Sequence, residues 1–324
     1  MQTSNERKCR SILVPLDGSD FAEHALPTAV GLARRHGATL HVVRVHVPIA
    51  GAYGEHAVPY DEGLDRALIT RARDYVEGVG TLLAVAGMQA SSILLDGPIP
   101  IAIARHATEV EADLIVMTTQ GRGPLARLWL GSVSDELVRQ INVPILLVRP
   151  ADAAPDFSRE PLVRRVLIPL DGSPLAERVL EPVLALGAGT QPEYTLLRVT
   201  TPMAELSYGP AGGKITGLHE SLKQLQELDQ AESKGAHEYL ERLAQALRAR
   251  SFNVQTRVIT HDRPATAILD DASVNGADLI ALATHGRGGL KRLLLGSVAD
   301  KVLRGADRAV LVYRPVDRSA PPAQ

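Results

Sequence analysis

The chain has 324 residues, with 35 Lys plus Arg against 37 Asp plus Glu, 45% apolar residues and 3% aromatic ones. This balance leaves no bulk field to draw in nucleic acid or an acidic membrane, and so few rings argue against base-stacking platforms. The single cysteine makes neither an intramolecular disulfide nor a zinc site, and no apolar run approaches the ~20 residues of a membrane span; a soluble cytoplasmic protein of two domains is expected.

Residues 1–8 are polar, and Cys9 reads as an unremarkable thiol of that tail. Residues 12–16 form a continuous apolar run, the mark of a strand buried on both faces. Residues 20–36 follow with helical spacing of Phe21, Ala25, Leu26, Ala29, Leu32 and Ala33. A second strand is predicted at 40–47, a long amphipathic helix at 64–86, a strand at 91–95 and a helix at 99–110. The fourth strand is 114–118, a helix covers 131–141, and a fifth strand covers 145–148. A small, polar, Pro-bearing linker at 151–162 separates a domain over 1–150 from a second over 163–316. Strands at 166–170, 194–199, 253–259, 279–283 and 310–313 then repeat the order, the charged stretch 220–250 reads as a solvated helix face, and 317–324 is a tail.

The second half repeats the first. Ile12-Leu13-Val14-Pro15-Leu16-Asp17-Gly18-Ser19 returns as Val166-Leu167-Ile168-Pro169-Leu170-Asp171-Gly172-Ser173. Residues 112–150 return as 277–315, with 20 of the 39 positions identical. The offset grows from 154 to 165, so the second copy carries 11 additional residues, expected around 202–230. Strands alternating with helices argue for two tandem α/β domains, each a doubly wound five-stranded parallel sheet. In such sheets the ligand crevice lies beyond the C-terminal strand ends where the strand order reverses, which points to the residues after strands one and four.

Those residues are glycine-rich. Strand one leads into Asp17-Gly18-Ser19 or Asp171-Gly172-Ser173, and strand four into Thr119-Gln120-Gly121 or Thr284-His285-Gly286. Gly131-Ser132-Val133 and Gly296-Ser297-Val298 stand at predicted helix starts, where free N–H groups and the dipole favour an anion. Glycine lets backbone amides approach phosphates closely. Asp17 and Asp171 suit a donor such as an adenine amino group or a ribose hydroxyl, and Asp17 could also cap the next helix. A dinucleotide fingerprint is rejected for Gly121-x-Gly123 because it follows strand four, not strand one, and a P-loop lysine is absent. The remaining histidines show no metal-ligand spacing.

The repeated set, Pro-x-Asp after strand one and Gly-x9-Gly-Ser after strand four, resembles the ATP-binding type of the universal stress protein family over nearly the whole chain. The resemblance implies a Rossmann-like, adenine nucleotide alpha hydrolase-like fold. It implies adenine and ribose contacts from Pro15, Asp17 and Val45, and from Pro169, Asp171 and Val199. Phosphate contacts would come from Gly121, Gly131, Ser132 and Val133, and from Gly286, Gly296, Ser297 and Val298, and His285 matches the family's usual histidine beside the glycine in the nucleotide site. The family's first signature glycine is Thr118 here in copy one and Ala283 in copy two. Copy one also has Gln120 and Pro124 against His285 and Gly289, so copy two is expected to be the better site. The expected ligand is ATP, with Mg carried on its phosphates. The expected role is a stress-response protein using nucleotide as a regulatory ligand, at most a weak ATPase. A Mg-dependent ATPase or nucleotidyl-transfer enzyme and a nucleotide-free signalling module are the alternatives. The resemblance also implies pairing of the two last strands into a pseudo-dimer within one chain, and leaves room for a homodimer and an unidentified protein partner.

Overall fold

The structure, a computed structural model, describes residues 9–48, 61–119, 131–150, 155, 161–202, 218–284 and 296–315. The first copy contains β1 (Ser11–Pro15), α1 (Asp20–Glu23), α2 (Ala25–His36), β2 (Thr39–His46), α3 (Glu62–Val85), β3 (Ala90–Asp96), α4 (Ile99–Glu109), β4 (Leu114–Thr118), α5 (Ser132–Gln140) and β5 (Ile145–Val148). The second contains β6 (Arg165–Pro169), α6 (Pro174–Glu177), α7 (Leu180–Leu186), β7 (Glu193–Thr200), α8 (Leu218–Ala249), β8 (Asn253–Thr260), α9 (Pro264–Val274), β9 (Leu279–Ala283), α10 (Ser297–Gly305) and β10 (Ala309–Tyr313).

The apolar runs of β1, β4, β6 and β9 are buried along nearly their whole length, as strands covered on both faces must be. They sit inside one ten-stranded sheet of order β3-β2-β1-β4-β5-β10-β9-β6-β7-β8. Pairing is parallel within each copy, and β5 meets β10 antiparallel, with Leu147 opposite Val310 and Ile145 opposite Val312. Each copy is thus a doubly wound five-stranded unit, and the two join last strand to last strand. One apolar layer packs α2, α3, α7 and α8 against the sheet; the other packs α4, α5, α9 and α10. Both layers run across the join, through Leu146 and Leu311 on one face and Leu147 and Val310 on the other. No helix among the described residues is long and apolar enough to cross a membrane.

Four local readings change. The helix expected over 20–36 breaks at His24, and copy two breaks at Arg178 and Val179. Pro27 and Pro182 explain the breaks: each lacks the N–H that the carbonyl four residues earlier would accept, and its ring crowds that carbonyl. Cys9 is no tail thiol, being 6% exposed within the core, where burial pushes it up to about 12. The chain that follows it into β1 is anchored by the Asp113 carboxylate, which accepts from the Arg10 and Ser11 amides. The charged helix α8 does face solvent, but Ala236, Leu240, Ala244 and Leu247 form a buried stripe at helical spacing. Finally, sheet registers locate the insertion. Leu40 pairs with Ala90 and Tyr194 with Val254, while Ile12 pairs with Leu114 and Val166 with Leu279. Ten of the 11 additional residues therefore lie between β7 and β8, and one between β8 and β9.

Candidate functional site

The strand order reverses between β1 and β4, and again between β6 and β9, which are neighbours in the sheet. Pro15 and Pro169 end β1 and β6 on that side. Beyond them the chain makes the same turn twice. Asp17 Oδ1 accepts from the Ser19 amide at 2.8 Å and the Ser19 hydroxyl at 2.5 Å; Ser19 Oγ in turn accepts from the Ala22 amide and caps α1. In copy two Asp171 Oδ1 accepts from the Ser173 amide at 2.9 Å, and Ser173 caps α6. The cap is therefore the serine, with the aspartate setting its orientation.

Gly18 holds φ +82 and Gly172 φ +79, a left-handed conformation that glycine adopts without strain. At Gly18 space is also limiting, because a Cβ would lie 2.6 Å from Arg44 Nη1. The Arg44 guanidinium lies 5.1 Å from the Tyr75 ring centre, and the Tyr75 hydroxyl donates to Glu23 at 2.8 Å. Burial, then the bond to Glu23, pushes the Tyr75 phenol well above its ordinary value. Copy two keeps the residue types with different contacts: Arg198 donates to the Leu170 carbonyl at 3.3 Å, the guanidinium over the Tyr239 ring is that of Arg242 at 5.7 Å, and burial, then the charge of Glu177, raises the Tyr239 phenol above its ordinary value. Val45 and Val199, near the ends of β2 and β7, pack against the opposite layer. Beside Val45 a cavity of about 430 Å³ opens, lined also by Gly18, Arg44, His46 and Tyr75. His46 is buried there and meets the buried Asp65 carboxylate at 3.1 Å.

The other half of each site is a helix start. Gly131 precedes α5 and Gly296 precedes α10, and neither helix has a side-chain cap. Helix geometry leaves the first-turn amides without intrahelical acceptors. Each glycine amide is tied instead to the residue after strand four: Gly131 donates to the Thr119 carbonyl at 2.8 Å and Gly296 to the Thr284 carbonyl at 3.0 Å. Ser132 and Ser297 are exposed, Val133 is half-buried and Val298 is 36% exposed. The copies differ one position on, where Ser134 Oγ donates to the Thr118 carbonyl and Ala299 has no such group.

Pro15, Asp17, Val45, Gly131, Ser132 and Val133 thus come from segments gathered at one edge of the first copy's sheet, as do Pro169, Asp171, Val199, Gly296, Ser297 and Val298 in the second. Gly121, His285 and Gly286 lie outside the described residues. Sequence reasoning missed the Arg44–Tyr75–Glu23 cluster and its counterpart. A signal existed: Arg and Glu recur at the offset of 154, Tyr at 164. No cluster of His, Cys, Asp and Glu suited to a metal ion occurs among the described residues.

Fold and site together define a tandem α/β protein in which one doubly wound unit occurs twice, each with a helix start facing the turn after its first strand. The comparisons narrow this class. The universal stress protein family matches residues 8–149 and again 163–314. A universal stress protein of Mycobacterium tuberculosis is 30% identical over 325 residues, covering 96% of this chain and 99% of its own length. One from Thermus aquaticus is 37% identical over 141 residues, 43% of this chain and 98% of its own. The crystal structure of a universal stress protein from Archaeoglobus fulgidus superposes with a TM-score of 0.68 at 18% identity, covering 94% of this chain and 98% of that one. The chain belongs to the universal stress protein family.

Proposed function

We propose that each copy binds an adenine nucleotide, foremost ATP, in the crevice at the strand-order reversal, and that the nucleotide acts as a regulatory ligand. The observation that carries this reading is the uncapped helix start at Gly131-Ser132, repeated at Gly296-Ser297, beside the turn after the first strand of each copy. Amides at such a start meet phosphate oxygens favourably. The Asp17 carboxylate, whose Oδ1 accepts from the serine turn, has a second oxygen that suits a ribose hydroxyl or adenine amine, and Asp171 is the matching residue of copy two. The phosphates would carry Mg with them. Copy two is the tighter site, because its loop has Gly289 where copy one has Pro124.

Turnover is slow in this reading. The first carboxylate of α5 is Asp135, and both its oxygens accept from Arg139. Asp300 is held the same way by Arg304. A general base has to reach the nucleophile it activates. The setting is the cytoplasm, where ATP is plentiful, and a protein partner would read the bound state. Isothermal titration of the full chain with ATP tests the proposal, with two molecules bound per chain expected. No heat at millimolar ATP overturns it, and turnover at roughly one per second or faster overturns the regulatory role.

A further inference from the structure

The two copies exchange arginines. Arg149, the residue after β5, sends its Nη2 to the Leu303 and Arg304 carbonyls at 3.4 and 3.2 Å. Arg314, the residue after β10, sends its Nη1 to the Arg139 carbonyl. Each guanidinium thus caps the C-terminal turn of the helix that opens the other copy's site. Those carbonyls have no acceptor role inside their own helix, so an arginine from outside is a natural partner.

The bonds on either side close the circuit. The Gly131 amide donates to the Thr119 carbonyl, and the Thr119 amide donates to the Val148 carbonyl at 3.1 Å. Val148 is joined covalently to Arg149, which grips the end of α10. At the start of α10 the Gly296 amide donates to the Thr284 carbonyl, and the Thr284 amide donates to the Tyr313 carbonyl at 3.0 Å. Tyr313 is joined to Arg314, which grips the end of α5, and α5 leads back to Gly131. Each helix has nine residues, a span of roughly 13 Å, and hydrogen bonds along it make it a stiff strut.

We propose that this closed ring of hydrogen bonds couples the two nucleotide sites, with Arg149 and Arg314 as the positioning residues that carry the coupling across the join. The inference rests on the nucleotide reading for its ligand, but the ring itself does not. A phosphate seated on Ser132 and Val133 fixes α5; α5 holds Arg314, Arg314 fixes the end of β10, and β10 fixes Thr284 and Gly296. The second site is then partly ordered before its own ligand arrives, which gives positive coupling. Coupling is reciprocal, so filling the second site prepares the first equally.

The test is residue-resolved hydrogen exchange on the full chain. In the nucleotide-free protein, Arg149→Met should speed exchange of the Gly296 amide at least ~5-fold while leaving the Ile12 amide unchanged. Ser132→Glu closes the first site, so that ATP fills only the second. In that variant ATP should slow the Gly131 amide at least ~5-fold, within the usual range of coupling. Adding Arg149→Met and Arg314→Met should abolish this distant response while the Gly296 amide still responds. Lysine at both positions, which can donate to one carbonyl, should restore part of it and guards against a folding artefact. If ATP protects only the site that it fills, and Arg149→Met disturbs nothing beyond the last turn of α10, the ring does not couple the sites. If ATP binds nowhere but the nucleotide-free variant still loosens Gly296, the ring stands and the nucleotide reading falls.

Discussion

Gly18 and Gly37 separate two costs that usually come together. Both hold positive φ, +82 and +64, but a Cβ on Gly37 would meet nothing within 4 Å, whereas on Gly18 it would lie 2.6 Å from Arg44 Nη1 and 2.9 Å from Cζ. Alanine at Gly37 should cost only the backbone penalty, about 1–2 kcal/mol. At Gly18 it should also drive the guanidinium off the Tyr75 face. Arg44 is flexible enough to move away, so the additional cost is the lost stacking, about 0.5–1 kcal/mol. Gly18→Ala should therefore destabilise by about 1.5–3 kcal/mol in total. Urea unfolding of the full chain followed by circular dichroism measures both variants. In an Arg44→Ala background the surplus should vanish, leaving Gly18→Ala as mild as Gly37→Ala. Equal costs in the wild-type background, or a surplus that survives Arg44→Ala, would refute the claim that Arg44 presses on this turn.

Three further outcomes are expected. Ser297→Glu places a carboxylate at the start of α10, which suits the helix dipole but repels phosphate, so the fold should hold while ATP titration shows binding at that site at least ~10-fold weaker. Leu147→Ala, at a fully buried position opposite Val310, should cost about 2–5 kcal/mol in denaturant unfolding, and a loss below 1 kcal/mol would mean that the join is loosely packed. The Cys9 thiol is raised by burial to about 12, so the unfolded chain releases this proton at lower pH than the folded one. Above about pH 9 the wild type should thus lose stability with rising pH faster than Cys9→Ala, by up to about 1.4 kcal/mol per pH unit, and parallel profiles would contradict the buried placement.

Much of the architecture was legible because the residues that make it are strongly patterned. β4 and β5 begin and end at the residues predicted, since each is an uninterrupted apolar run between polar breaks. The repeat revealed the twofold organisation, and the strand-reversal rule pointed to the edge where Asp17 and Gly131 lie. The break at His24 escaped because apolar spacing says nothing about carbonyls, and only Pro27 carries that information. Cys9 escaped because one apolar residue among polar neighbours makes no period. Arg44 and Tyr75 are separated by 30 residues, and nothing local links them. The crossed arginines escaped for the same reason: Arg149 and Arg314 look like ordinary charges after a strand until the antiparallel join brings each beside the other copy's helix.

The antiparallel meeting of β5 and β10 has an evolutionary consequence. In a dimer of identical subunits every substitution at the seam is written twice, and both occurrences must be tolerated together. Here each half faces only its sibling, so a change at the seam is written once and answered once. The halves can drift apart in sequence, as Ser134 and Ala299 already have, and take up separate duties without ever losing their companion.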